Sequence, residues 1–123
     1  WRIARKAMQK AFPFMPALKY DYPKVMKHFF SPEDNWDNVF PTLFPQWDRT
    51  PRAGKHEGIY VNATPENFEH HIEDALQIIK NKPEQRKILF LRSWNEWGEG
   101  NYVEPDTKYG HGFLDAIRKT IKK

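Results

Sequence analysis

The sequence predicts an α/β fold in which parallel strands alternate with helices. Three features predict it. Thr64-Pro65-Glu66 opens a segment with a single apolar stripe, the unbroken apolar run Ile88-Leu89-Phe90-Leu91 follows, and a second helical stripe closes the chain from about residue 109. An apolar run without alternation fits a strand covered on both faces, as in a parallel sheet. Strand, helix and buried strand in that order imply a right-handed parallel unit.

The elements follow in chain order. Ile3, Ala7, Met8, Ala11 and Phe12 recur at helical spacing, and Pro13 ends that helix. Residues 14–19 form a proline-containing link. A second helix starts near Asp21, with Pro23 early in it and Val25, Met26, Phe29 and Phe30 on its apolar face. Ser31 caps the turn Pro32-Glu33-Asp34. Residues 39–44 are extended, although Pro41 and Pro45 each remove a ladder donor. Residues 48–58 are a polar loop. Thr64 is a capping hydroxyl followed by Pro65 at the first helical position. Phe68, Ile72, Ala75, Leu76 and Ile79, at offsets 0, 4, 7, 8 and 11, form one buried stripe, and the helix stops near Asn81. A loop spans residues 94–106. The last helix, over about residues 109–121, buries Phe113, Leu114, Ile117 and Ile121.

Composition narrows the function classes. The 123 residues include no cysteine, which excludes a disulfide scaffold and a thiolate metal site. Hydrophobic residues at 39% and charged residues at 29% exclude a disordered chain, and no apolar run approaches the roughly 20 residues of a membrane span. The net charge of +4 is scattered; its densest cluster, Arg118-Lys119 with Lys122-Lys123, lies at a helix C-terminus, where the dipole favours cations. A nucleic-acid partner is therefore not expected. Aromatic residues reach 15%, more rings than a small domain can bury, so some need a ligand or a partner. The chain begins with Trp1 in what reads as mid-helix, and no signal peptide is visible. The expectation is the C-terminal piece of a longer cytoplasmic protein, partnered by its own N-terminal part.

The chemistry-bearing stretch is residues 93–105, Ser-Trp-Asn-Glu-Trp-Gly-Glu-Gly-Asn-Tyr-Val-Glu-Pro. It follows the expected buried strand, and parallel sheets bind ligands at the carboxyl ends of their strands. Trp94, Trp97 and Tyr102 offer flat faces to the C–H side of a sugar, while Asn95 and Glu104 exchange hydrogen bonds with its hydroxyls. Glycosidic chemistry needs an acid on the leaving oxygen and a base or nucleophile opposite. Glu96 and Glu99, three apart in a glycine-punctuated turn, can supply both, since neighbouring carboxylates repel and separate their proton affinities. Trp94 and Trp97 serve equally well as core residues, and a non-catalytic glycan-binding or structural module is the alternative to an enzyme. Trp47, Asp48 and Arg52 sit beyond the first expected strand and join the same rim. Asp48 and Arg52 either bind sugar hydroxyls or a phosphate, or pair to organise their loop. No spacing among His28, His56, His70, His71 and His111 suits a metal, and no phosphate loop or nucleotide-binding pattern is visible, so neither metal nor cofactor is expected.

The stretch from Trp94 to Tyr102, with Glu104-Pro105 and Tyr109-Gly110, resembles the C-terminal signature of WbsX-type proteins, described as glycosyltransferases or lipopolysaccharide-biosynthesis proteins of bacterial polysaccharide clusters. Phe44 to Arg52 and Thr64 to Phe68 resemble further motifs of that family, and the likeness extends over about residues 36–121. That family is in turn similar to the endo-α-mannosidase glycoside hydrolases, which are (β/α)8 barrels. The resemblance implies that this chain is the C-terminal portion of such a TIM barrel, holding its final two βα units, because a barrel takes ~250 residues. It implies Glu99 as general acid/base and Glu96 acting on the sugar's 2-hydroxyl. Those hydrolases often carry His where this chain has Gly98. The expected substrate is an oligosaccharide or polysaccharide.

Overall fold

The computed structural model describes residues 4, 7–8, 11–12, 16–54 and 58–122. Of the expected first helix, residues 4, 7, 8 and 11 are helical and the Phe12 amide donates to the Met8 carbonyl at 2.8 Å; Ile3 and Pro13 lie outside the described residues.

Strand β1 spans Leu18–Asp21 and runs straight into helix α1, Tyr22–Met26, which has Pro23 in its first turn. The link expected up to residue 19 is therefore shorter, because Pro16 precedes the strand and removes no donor from it. The helix is also shorter than its apolar stripe. Tyr22 and Met26 are buried, while Phe29 and Phe30 leave the helix and pack on the buried imidazole of His71 from a turn. Ser31 caps the 3₁₀ turn Pro32–Asn35 in a reciprocal capping box.

Strand β2, Thr42–Leu43, is confined to two residues by the buried Pro41 and Pro45. It pairs in parallel with β4, Phe90–Leu91, and the ladder closes through Phe90 N–H to the Pro41 carbonyl and Arg92 N–H to the Leu43 carbonyl, both 2.9 Å. Between them come a short helix α2, Thr50–Ala53, strand β3, Gly58–Val61, and the long helix α3, Pro65–Ile79. The segment expected to be a polar loop thus contains α2 and ends on β3. Strand β3 pairs in parallel with β1, from Leu18 opposite Gly58 to Asp21 opposite Val61.

Helix α3 starts where its sequence says. The Thr64 hydroxyl accepts the Asn67 amide at 3.2 Å, and Phe68, His71, Ile72, Ala75 and Ile79 are buried. The core joins this stripe to Leu43, Val103, Phe113 and Ala116. Helix α4, Gly112–Ile121, begins later than expected, because the Asp106 carboxylate takes the Lys108 and Tyr109 amides and closes residues 106–110 into a turn. Ile121, expected in the core, is 62% exposed at the helix end. Strand β4 also departs from the expected two-sided cover. Ile88 is 44% and Phe90 56% exposed, since the described chain packs one face of this strand.

Past α3, the buried Lys82 ammonium donates to the carbonyls of Asp34, Trp36 and Val39 at 2.6, 2.8 and 2.5 Å. An ammonium has three donors, and all three are used. This fastens the approach to β2 onto the end of α3.

Candidate functional site

The loop after β4 folds into a tight hairpin. Strand β5, Asn95–Glu96, pairs antiparallel with β6, Asn101–Tyr102, across a 3₁₀ turn, Trp97–Glu99, and Gly100 in the left-handed region at φ 54°. The Arg92–Ser93 peptide at its entrance is cis. Ser93 and the fully buried Asn101 hold the hairpin shut. The Ser93 amide donates to Asn101 Oδ1 and the Ser93 hydroxyl to the Asn101 carbonyl, each at 2.6 Å, and that hydroxyl accepts the Glu96 amide at 3.1 Å. Neither residue stands out as a site residue in the sequence. Their signal is chemical: a serine and an asparagine flanking a turn can close it from both sides.

A second segment locks onto this turn. The Asp48 amide donates to the Glu99 carbonyl at 3.0 Å. The Asp48 carboxylate accepts the Thr50 amide at 2.9 Å and the Thr50 hydroxyl at 2.6 Å, so it caps α2. The loop is organised by Asp48 and Thr50 and not by an Asp48–Arg52 pair, because Oδ1 reaches the nearer amide two residues on. Arg52 points from α2 to the hairpin. A Cβ on Gly98 would stand 3.4 Å from Arg52 Nη1 and 3.1 Å from Glu96 Oε1, so both charged groups close over this glycine.

Glu99 sits between two guanidinium groups. Arg92 Nη2 donates to Oε2 at 3.2 Å, and Arg49 Nε lies 3.7 Å from Oε1. Its side chain is 17% exposed. Both of these partners are arginine side chains. The Arg92 guanidinium also lies 5.8 Å from the centre of the Trp47 ring, which stacks on Phe44.

The aromatic residues divide into two kinds. Trp97 stacks on Tyr102 with centroids 3.6 Å apart and an interplanar angle of 16°, and its indole N–H donates to Glu104 at 2.7 Å. The Tyr102 hydroxyl donates to Asp106 at 3.2 Å; burial and that carboxylate push its pKa up. One face of each ring is therefore spent on the other. Trp94, 54% exposed, has no ring contact among the described residues and is the free platform. Asn95 is exposed beside it. The fold thus gathers Trp94, Asn95, Glu96, Trp97, Glu99, Tyr102 and Glu104 on one hairpin, brings Asp48 and Arg52 against its turn, and reaches Trp47 through Arg92. Among the described residues no helix is long and apolar enough to cross a membrane.

The family model described as Glycosyltransferase WbsX matches residues 2–117. Two proteins named Uncharacterized protein WxcX, from two strains of Xanthomonas campestris pv. campestris, are each 33% identical to this chain over 86 residues. That alignment takes in 69% of the chain and 12% of each relative, so the chain spans a small fraction of the relatives it matches. No solved structure matches the chain.

Proposed function

This chain belongs to the WbsX glycosyltransferase family, and from that premise we propose that it carries the acidic part of an active site that makes or breaks glycosidic bonds in bacterial surface polysaccharide, lipopolysaccharide included. The observation that carries the reading is the hairpin turn itself. Two carboxylates, Glu96 and Glu99, stand three residues apart, one of them held between two arginines, with the open face of Trp94 on the same hairpin. Parallel pairing of β1 with β3 and of β2 with β4 supports the view that these strands are the last part of a (β/α)8 barrel, with Arg92 and the hairpin at the outgoing end of β4.

The two carboxylates divide the chemistry. Arg49 and Arg92 hold the Glu99 side chain, which is 17% exposed, in one place at the turn, and that fixed position supports Glu99 as the base or nucleophile. Glu96 has no ion pair among the described residues and takes the role of proton donor to the leaving oxygen. This departs from the endo-α-mannosidase likeness, which implies Glu99 as general acid/base and Glu96 acting on the sugar's 2-hydroxyl.

Glu99→Gln in the full chain lowers turnover by about a thousandfold while glycan binding persists. An aryl glycoside with a good leaving group needs no proton donor, so it restores turnover to Glu96→Gln and not to Glu99→Gln. Full turnover in Glu99→Gln rejects the proposal. Glycan binding without turnover in the unmutated chain favours a binding module.

A further inference from the structure

Three guanidinium groups from two segments far apart in sequence meet at one turn that carries two carboxylates. Arg49 precedes α2, Arg52 lies within it, and Arg92 follows β4. Each guanidinium carries five N–H donors in a planar fork. Among the described residues few of these are used. Arg92 gives one side-chain hydrogen bond to Glu99, Arg49 Nε is buried beside the same carboxylate without a hydrogen bond, and the Arg52 guanidinium has no ion pair or hydrogen bond among the described residues. The nearby acids have other occupations. Asp48 caps Thr50 through Oδ1, and Glu104 accepts the Trp97 indole. Arg52 and Arg92 are largely exposed, so their forks are open to a ligand.

An exposed lysine suffices to solubilise a surface. A planar fork with vacant donors is suited to a planar or tetrahedral oxyanion, which it binds by two parallel hydrogen bonds. We infer that this site takes an acidic glycan, with a carboxylate or phosphate on or next to the sugar held by Arg52 and Arg92 while the ring lies on the hairpin that carries Trp94. This rests on the proposed carbohydrate function and names its substrate class. Arg52 also stands over Gly98 beside Glu96, which brings the oxyanion close to the proposed proton donor without requiring it to displace the Glu99 ion pair.

The test is a tryptophan-fluorescence titration of the full chain with sodium glucuronate, glucose 1-phosphate and glucose, at low and high salt. At least one acid is expected to bind about tenfold or more tightly than glucose, the scale of a charge-assisted hydrogen-bond pair, and added salt narrows the gap. The acid that binds more tightly distinguishes a uronic carboxylate from a sugar phosphate. Arg52→Gln and Arg92→Gln bring the acid's affinity toward that of glucose. Arg52→Lys keeps the charge but not the fork and recovers only part of the preference. Glucose binding as well as both acids overturns the inference and leaves the glycosidic proposal standing. Binding of no sugar at all overturns both. A preference that survives both arginine variants removes the assignment to this cluster.

Discussion

Gly100 packs directly on the backbone of Asp48. A Cβ there would stand 2.5 Å from the Asp48 carbonyl oxygen and 2.8 Å from its amide nitrogen, and the residue adopts φ 54°. Half a chain apart in sequence, the two residues seam the loop after β2 to the hairpin after β4.

Gly100→Ala combines left-handed strain with a backbone clash. The expected loss is about 2 kcal/mol or more. Gly110, with a similar φ of 55° and no neighbour within 4 Å, provides the comparison; Gly110→Ala costs only the left-handed strain, about 1 kcal/mol. Urea unfolding of the two variants measures the difference. Equal losses would mean that the Asp48 contact contributes nothing.

Trp94 and Trp97 separate on two axes. Trp94 is exposed and unstacked among the described residues, so Trp94→Ala leaves stability within about 0.5 kcal/mol and weakens glycan binding by roughly tenfold, the worth of one covered ring face. Trp97→Ala loses the Tyr102 stack and the Glu104 hydrogen bond and lowers stability by about 1–2 kcal/mol as well. Thermal melts and binding titrations on both variants check this. A Trp94→Ala chain that binds glycan normally removes that ring from the site.

His71 makes stability depend on pH. It is buried against Phe30, Phe29 and Tyr22, and its Nε2 accepts the Phe44 amide at 3.2 Å. Burial pulls its pKa down from 6.5 to about 4, so the folded chain holds the ring neutral. Below pH 6.5 the unfolded chain takes up a proton that the folded chain refuses until about pH 4. Stability therefore falls with acidification across that window and levels off below it, by about 3 kcal/mol in all. His71→Leu lacks this component. Urea unfolding at a series of pH values tests it, and parallel pH profiles for the two proteins would count against a neutral buried ring.

Much of the helical structure is legible in local sequence. The Thr64 hydroxyl, Pro65 and the stripe from Phe68 to Ile79 act within one or two helical turns, so their spacing announces α3 without reference to anything distant. The capping box at Ser31 is legible for the same reason. Strands β1 and β3 are not. Ile59-Tyr60-Val61 has strand-forming residues, but the segment is four residues long and half-buried throughout, and its partner lies 40 residues upstream at Leu18 to Asp21. The same limit explains β4, where an apolar run reads as doubly covered while the number of neighbouring strands is set by the rest of the fold.

By itself the sequence determined which groups are available to the proposed chemistry, by crowding carboxylates, indoles and amides into the residues after Leu91, because composition within a dozen residues needs no folding to be read. Only the tertiary structure decided how those groups are occupied. It turned Glu99 toward Arg49 and Arg92, set Asp48 to cap Thr50, folded Trp97 onto Tyr102 and left Trp94 open. The reason is physical. Ion pairs, ring stacks and caps depend on separations of a few ångströms between groups as far apart in the chain as Arg49 and Glu99, and no periodicity records which of several nearby donors a carboxylate will meet.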